Sequence, residues 1–163
     1  MLLHNAEGNA VALVDERLVL FVRVLPLTTD AMALAETELW KRLDQATVER
    51  PAGLWIVVAG DAGLSAPALL EHQRAVFARM VSEAGRLFVA SSIIGSSVQS
   101  MAIRAVGNGF AKKRPHIQMF SDTSSAAQWL SAGTKIPREA LLREAEAAWA
   151  ECEQQSKRDT VSF

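Results

Sequence analysis

Much of what this chain lacks is informative. Its single cysteine, Cys152, excludes an internal disulfide and any cysteine-built metal cluster. The histidines His4, His72 and His116 lie far apart and share no metal-ligand spacing. Neither sign of charge dominates: 17 Lys and Arg against 18 Asp and Glu leave a net charge of −1, which gives no electrostatic case for nucleic acid as a partner. No apolar run approaches the ~20 residues of a membrane-spanning helix. The start, Met1 to Glu7, has neither a basic segment nor a long apolar one, so the expectation is a cytoplasmic chain without a signal peptide. There is no Gly-x-Gly-x-x-Gly or Walker sequence, no Gly-x-Ser-x-Gly elbow, no paired carboxylates and no activated nucleophile. Neither enzymatic activity nor a cofactor is expected.

What remains is an ordinary globular composition: 163 residues, 50% of them apolar, enough to bury a core. At its centre stands Leu54-Trp55-Ile56-Val57-Val58-Ala59-Gly60, apolar without alternation and bounded by glycines. A strand apolar on both faces must be covered on both, so this run reads as an interior strand between layers of helices.

The flanking pattern agrees. Asn5 to Asn9 reads as a loop or frayed end. Ala10–Val14 and Leu18–Leu25, joined by Asp15-Glu16-Arg17, read as an antiparallel hairpin, stopped by Pro26. Thr28-Thr29-Asp30 offers caps for a helix over 31–48, with Leu39, Trp40 and Leu43 on its inner side. A second helix spans Ala66–Ala84, burying Leu69, Leu70, Val76, Phe77, Met80 and Val81, and a strand runs from Arg86 to Ile94. A third helix opens at Ser96 and Ser97 and ends at Gly107-Asn108-Gly109; Val98, Met101, Ala102, Ala105 and Val106 form its apolar side. His116–Phe120 is the last strand. Ser121 to Ser125 cap a short helix, Ala126–Ser131, closed by Gly133. Pro137 starts a final helix from Arg138 to about Gln155, with a frayed tail behind it. The sum is an α/β fold: a mixed sheet of about five strands, a hairpin followed by β-α alternation, with an extra C-terminal helix. One domain over 1–163 is expected, its core at about 10–132 and its helical extension at about 137–155.

The segment Arg114 to Asp122 followed by Ala126-Ala127-Gln128-Trp129-Leu130 resembles the closing signature of STAS-like proteins related to anti-sigma-factor antagonists, in which a strand ending in Phe precedes a helix carrying Ala-x-x-Trp-Leu. The hairpin, the long first helix and the apolar third strand are also similar. This implies a small non-enzymatic regulatory module that binds proteins or senses ligands. Its Trp129 and Leu130 would cover the sheet edge near Met119 and Phe120. In that family a serine at a helix N-terminus after a strand is phosphorylated. The matching loop here, Gly60 to Pro67, holds Ser65 but lacks the Asp-Ser-Ser-Gly pattern of such a switch.

Five residues are candidates for binding. Asp61 and Ser65 follow the central strand; Gly95, Ser96 and Ser97 follow the next one. In parallel sheets ligands gather at the carboxyl ends of strands, and a helix N-terminus there favours an anion. The plainer reading makes Ser65 and the Gly95 turn simple helix caps. Lys112-Lys113-Arg114 reads as a solvated basic turn, and Cys152 as a small packed hydrophobe. The final helix has a stripe of Leu141, Leu142, Ala145, Ala148, Trp149 and Cys152, to be laid on its own sheet or on a partner. The leading expectation is a protein-interaction module whose partner is another protein or a second copy of itself. The alternative is a small-molecule or lipid-headgroup binder at the strand-to-helix turns.

Overall fold

The computed structural model describes residues 1–6, 8–24, 37–42, 44, 52–59, 75, 78–79, 82, 87–95 and 98–161. Among the described residues, six strands form one mixed sheet: β1 (Leu2–Ala6), β2 (Asn9–Val14), β3 (Leu18–Val24), β4 (Ala52–Ala59), β5 (Leu87–Ile93) and β6 (Ile117–Phe120). Their order in the sheet is their order in the chain. The β1–β2 and β2–β3 pairs are antiparallel, and β3 through β6 run parallel. This is the expected α/β mixed sheet with its N-terminal hairpin, and the central apolar run lies inside it, between β3 and β5.

The sheet has one strand more than expected, because Asn5 and its neighbours are not a loop. They belong to β1, which pairs Ala6 with Asn9 beside β2. An edge strand tolerates polar residues, since one of its backbone edges faces solvent. Met1 fastens the start of β1: its amine donates to the Leu13 carbonyl at 2.8 Å and its carbonyl accepts from the Leu13 N–H at 2.8 Å. In the β2–β3 turn, Asp15 and Glu16 both take positive φ, 50° and 54°, the pair of values that a type I′ turn requires.

Three helices follow: α1 (Val98–Ala111), α2 (Thr123–Thr134) and α3 (Arg138–Val161). Before them, residues 37–42 and 44 are helical, as are 75, 78, 79 and 82. Arg79 lies over the Trp40 ring at 4.1 Å, so these two stretches are neighbours. Thr28-Thr29-Asp30, Leu43 and the set Leu69, Leu70, Val76, Phe77, Met80 and Val81 lie outside the described residues.

Because the parallel strands advance steadily in one direction, right-handed crossovers put the linking helices on one face. On that face Leu39 is buried in a cluster with Val11, Val19, Phe21, Leu54, Ile56, Val89 and Ile117. The opposite face carries Leu18, Leu20, Val22, Trp55, Val57 and Ala90 and is left to the C-terminal helices. There α2 lies over β4, β5 and β6, and α3 lies back across β1, β2 and β3. The stripe of α3 therefore packs on its own sheet. Leu141, Ala145, Ala148 and Cys152 are buried, with Leu142 and Trp149 at the margin.

Close approach explains the glycine inside α2. A Cβ on Gly133 would stand 2.7 Å from the Phe88 ring, and one on Gly53 2.8 Å from the Thr134 methyl. Gly133 thus serves packing within the helix and does not close it. The stop comes at Lys135, φ 64°, whose N–H bonds the Ser131 carbonyl at 3.0 Å. At the other end Asp122 is the N-cap, accepting from the Ser125 N–H at 2.7 Å. α3 continues to Val161, past the expected end near Gln155.

Candidate functional site

The anion site expected from the sequence would follow β4 and β5. Asp61, Ser65, Ser96 and Ser97 lie outside the described residues, which leaves Gly95 as the one member of the set with a position. Gly95 is exposed and has φ 136°, a conformation open to glycine alone. Its turn is occupied by a residue the sequence reading passed over. Arg104, on α1, donates through Nη1 to the carbonyl of Ile93 at 2.7 Å and to that of Gly95 at 2.9 Å. The guanidinium reaches back along the helix and ties down the turn that feeds it. The signal was present in the sequence: Arg104 is the only charged residue between Val98 and Ala111.

That clamp fixes the rotation of α1 about its axis, and the result reverses an expectation. Val98, Met101 and Val106, assigned to the inner side, are 77%, 51% and 58% exposed, and Ala102 and Ala105 are exposed with them. The side turned to the sheet carries Ser100 and Gly107, both buried, with Ile103, Arg104 and Ala111 half-buried. The physical reason is proximity. A Cβ on Gly107 would fall 2.4 Å from the Met119 methyl, so the helix backbone sits down on β6 at this glycine. Gly107-Asn108-Gly109 does not end the helix either, which runs on to Ala111. The apolar stripe at the spacing of an amphipathic helix therefore faces solvent, the opposite of the usual arrangement.

The charge around this stripe is also one-sided. From Ala84 to Ser121 the chain contains no Asp or Glu. Lys112 and Lys113, both exposed, follow α1 directly.

Other candidates resolve into structure. His116 meets the Phe88 ring edge-on at 5.3 Å, and among the described residues no group of three His, Cys, Asp or Glu could hold a metal ion. Trp129 packs on Phe88 and Phe120, at 5.8 and 6.0 Å between ring centroids, and Leu130 is fully buried. Met119, expected beside Trp129, points to the other face of the sheet, toward Gly107. Cys152 is buried, and desolvation followed by the Glu151 charge pushes its thiol up to about 12, which leaves it protonated and unreactive at neutral pH. Among the described residues, no helix is long and apolar enough to cross a membrane.

Comparison with family models, with curated proteins and with solved structures returns no match.

Proposed function

We propose that this chain is a non-catalytic, STAS-like regulatory module that works in the cytoplasm by binding protein through the outer side of α1. The observation that carries the reading is the exposure of Val98, Met101 and Val106 on one helix side with no charge among them. An apolar stripe left in water has an unfavourable free energy that a partner relieves. The STAS-like part draws its support from the hairpin-then-alternation order and from the Ala-x-x-Trp-Leu helix seated on the last strand. A photocrosslinking residue placed at Met101 or Val106 in cells should capture protein, and the same residue at exposed Ser125 on α2 should not. Equal, background labelling at all three positions would sink the proposal.

A second reading, a small-molecule or lipid-headgroup binder, rests on Arg104, since a guanidinium beside a strand-to-helix turn is a natural seat for an anion. It requires inorganic phosphate to raise the melting temperature of the wild type and to leave Arg104→Gln unmoved.

A further inference from the structure

We infer that the partner of α1 is a helix of a different polypeptide, apolar along one side and with Asp or Glu in its N-terminal turn, laid antiparallel on α1 so that those acids meet Lys112 and Lys113. This deepens the interaction reading above and rests on it.

The stripe continues into the basic turn. Val98, Met101, Ala102, Ala105, Val106 and Gly109 recur at intervals of three and four, so they share one side of the helix. Lys112 and Lys113 stand at the next such interval beyond Gly109. The Lys112 N–H bonds the Asn108 carbonyl at 3.0 Å, so the helical path holds through Lys112 and carries it onto the same side. Both lysines are exposed. From Val98 to Val106 the stripe is roughly 12 Å long at about 1.5 Å per residue, and the lysines follow about two turns later. Gly109 lies between the two parts. It is exposed, and a Cβ there would meet nothing of its own chain within 4 Å, so the backbone is bare where they join.

Charge selects the partner. The sequence holds no Asp or Glu from Ala84 to Ser121, so neither α1 nor the strands it lies on, β5 and β6, supplies a carboxylate. The one charged side chain of α1 itself, Arg104, is bonded back to the Ile93 and Gly95 carbonyls. The docking side is therefore uncharged along its length and cationic at one end. Its complement is apolar opposite Val98 to Val106 and anionic opposite the lysines alone. In a helix, acidic residues are most stable in the first turn, where the dipole favours them. Placing that turn over Lys112 and Lys113 makes the pair antiparallel, and the opposed dipoles add to it. A second copy of α1 does not fit, because its own first turn has no acidic residue. An anionic membrane fits less well, since helices that lie in a lipid interface carry Lys and Arg along their whole polar face.

The test is selection of a phage-displayed library of helices about 18 residues long on the full chain. The library has a fixed stripe of Leu and Ala and random residues elsewhere. Enriched sequences should carry Asp or Glu in the first turn. The synthetic form of one should bind the wild type and lose at least about tenfold in affinity to Met101→Glu, and likewise to the double variant Lys112→Glu with Lys113→Glu. Both variants change exposed side chains and should keep the wild-type urea midpoint. Replacing the acids of the peptide by Lys should restore binding to the double variant and weaken binding to the wild type, an exchange that a purely structural role for the lysines does not produce. A selection that enriches nothing, or enriches peptides without acids in that turn, overturns the inference. So does a peptide that binds the double variant as well as the wild type. A wild type that dimerises in sedimentation equilibrium, or that binds phosphatidylserine vesicles, and loses this with Met101→Glu also overturns it. If a crosslinker at Met101 captures protein in cells but the selected peptides lack acids, the acidic partner fails while the interaction reading stands.

Discussion

Ser92 accepts the indole hydrogen bond of Trp55, the largest fully buried side chain among the described residues. The indole N–H donates to Ser92 Oγ at 3.0 Å, and that hydroxyl donates onward to the Asp122 carbonyl at 3.3 Å. Ser92→Ala leaves a buried indole N–H without its acceptor and should cost about 1–3 kcal/mol, the usual penalty for such an orphan; urea unfolding measures it. A loss under 0.5 kcal/mol would mean that the indole finds another acceptor. Cys152 makes a prediction about pH. Its thiol titrates near 9 in the unfolded chain and is raised to about 12 when folded. Between those values the unfolded state has lost the proton that the folded state keeps, so the contribution of Cys152 is whole below pH 9 and is lost as pH rises toward 12. Cys152→Ala should flatten the alkaline fall in stability across that window, and Ellman's reagent should label the native thiol only at the rate of unfolding.

The helices separate what periodicity reveals from what it conceals. The existence of α1, its apolar positions and a cap for α2 somewhere in Ser121 to Ser125 were legible, because spacing and capping chemistry are local; that Asp122 is the capping residue is seen in the structure. Which side of α1 meets the sheet was not. A stripe at intervals of three and four announces that something covers it, but does not say whether its own sheet does. The orientation is decided by two contacts distant in sequence: Arg104 on the carbonyls of Ile93 and Gly95, and the bare backbone of Gly107 on Met119. The same contacts predict coupling. Gly107→Val overfills the seat on β6 and should destabilise by about 1–3 kcal/mol, as overpacking does. Met119→Ala makes room beside it and should recover part of that loss in the double variant, which a double-mutant cycle in urea reads directly. Additive losses would show that α1 is not seated at this pair. Of the five residues expected to form an anion site, Gly95 alone is among the described residues, and the residue that occupies its turn is Arg104.

Across the whole molecule, the order of the strands dictates the role of the C-terminal helices. A sheet that advances from β1 to β6 without reversing receives all its right-handed crossovers on one face. The other face would expose Leu18, Leu20, Val22, Trp55 and Val57 to water, which no folded chain of this size sustains. The helix after Pro137 reads in sequence as an extension to a finished core, because its stripe resembles that of any surface helix. In the structure it completes the core: Leu141, Ala145, Ala148 and Cys152 close the β2–β3 half of that face, and Glu144 reaches the Met1 amine at 3.4 Å. A chain stopped after Ile136 should therefore lose cooperative unfolding and bind a hydrophobic dye, and Leu141→Ala in the full chain should cost about 2–5 kcal/mol. Exposed Glu146, on the same helix, supplies the control: Glu146→Ala should fall within about 0.5 kcal/mol of wild type. If the shortened chain unfolds cooperatively at the wild-type urea midpoint, the far face has some other cover and α3 is an appendage. If it collapses while Glu146→Ala does not, the last helix is as much a part of the core as the strand Leu54 to Ala59 that it helps to enclose.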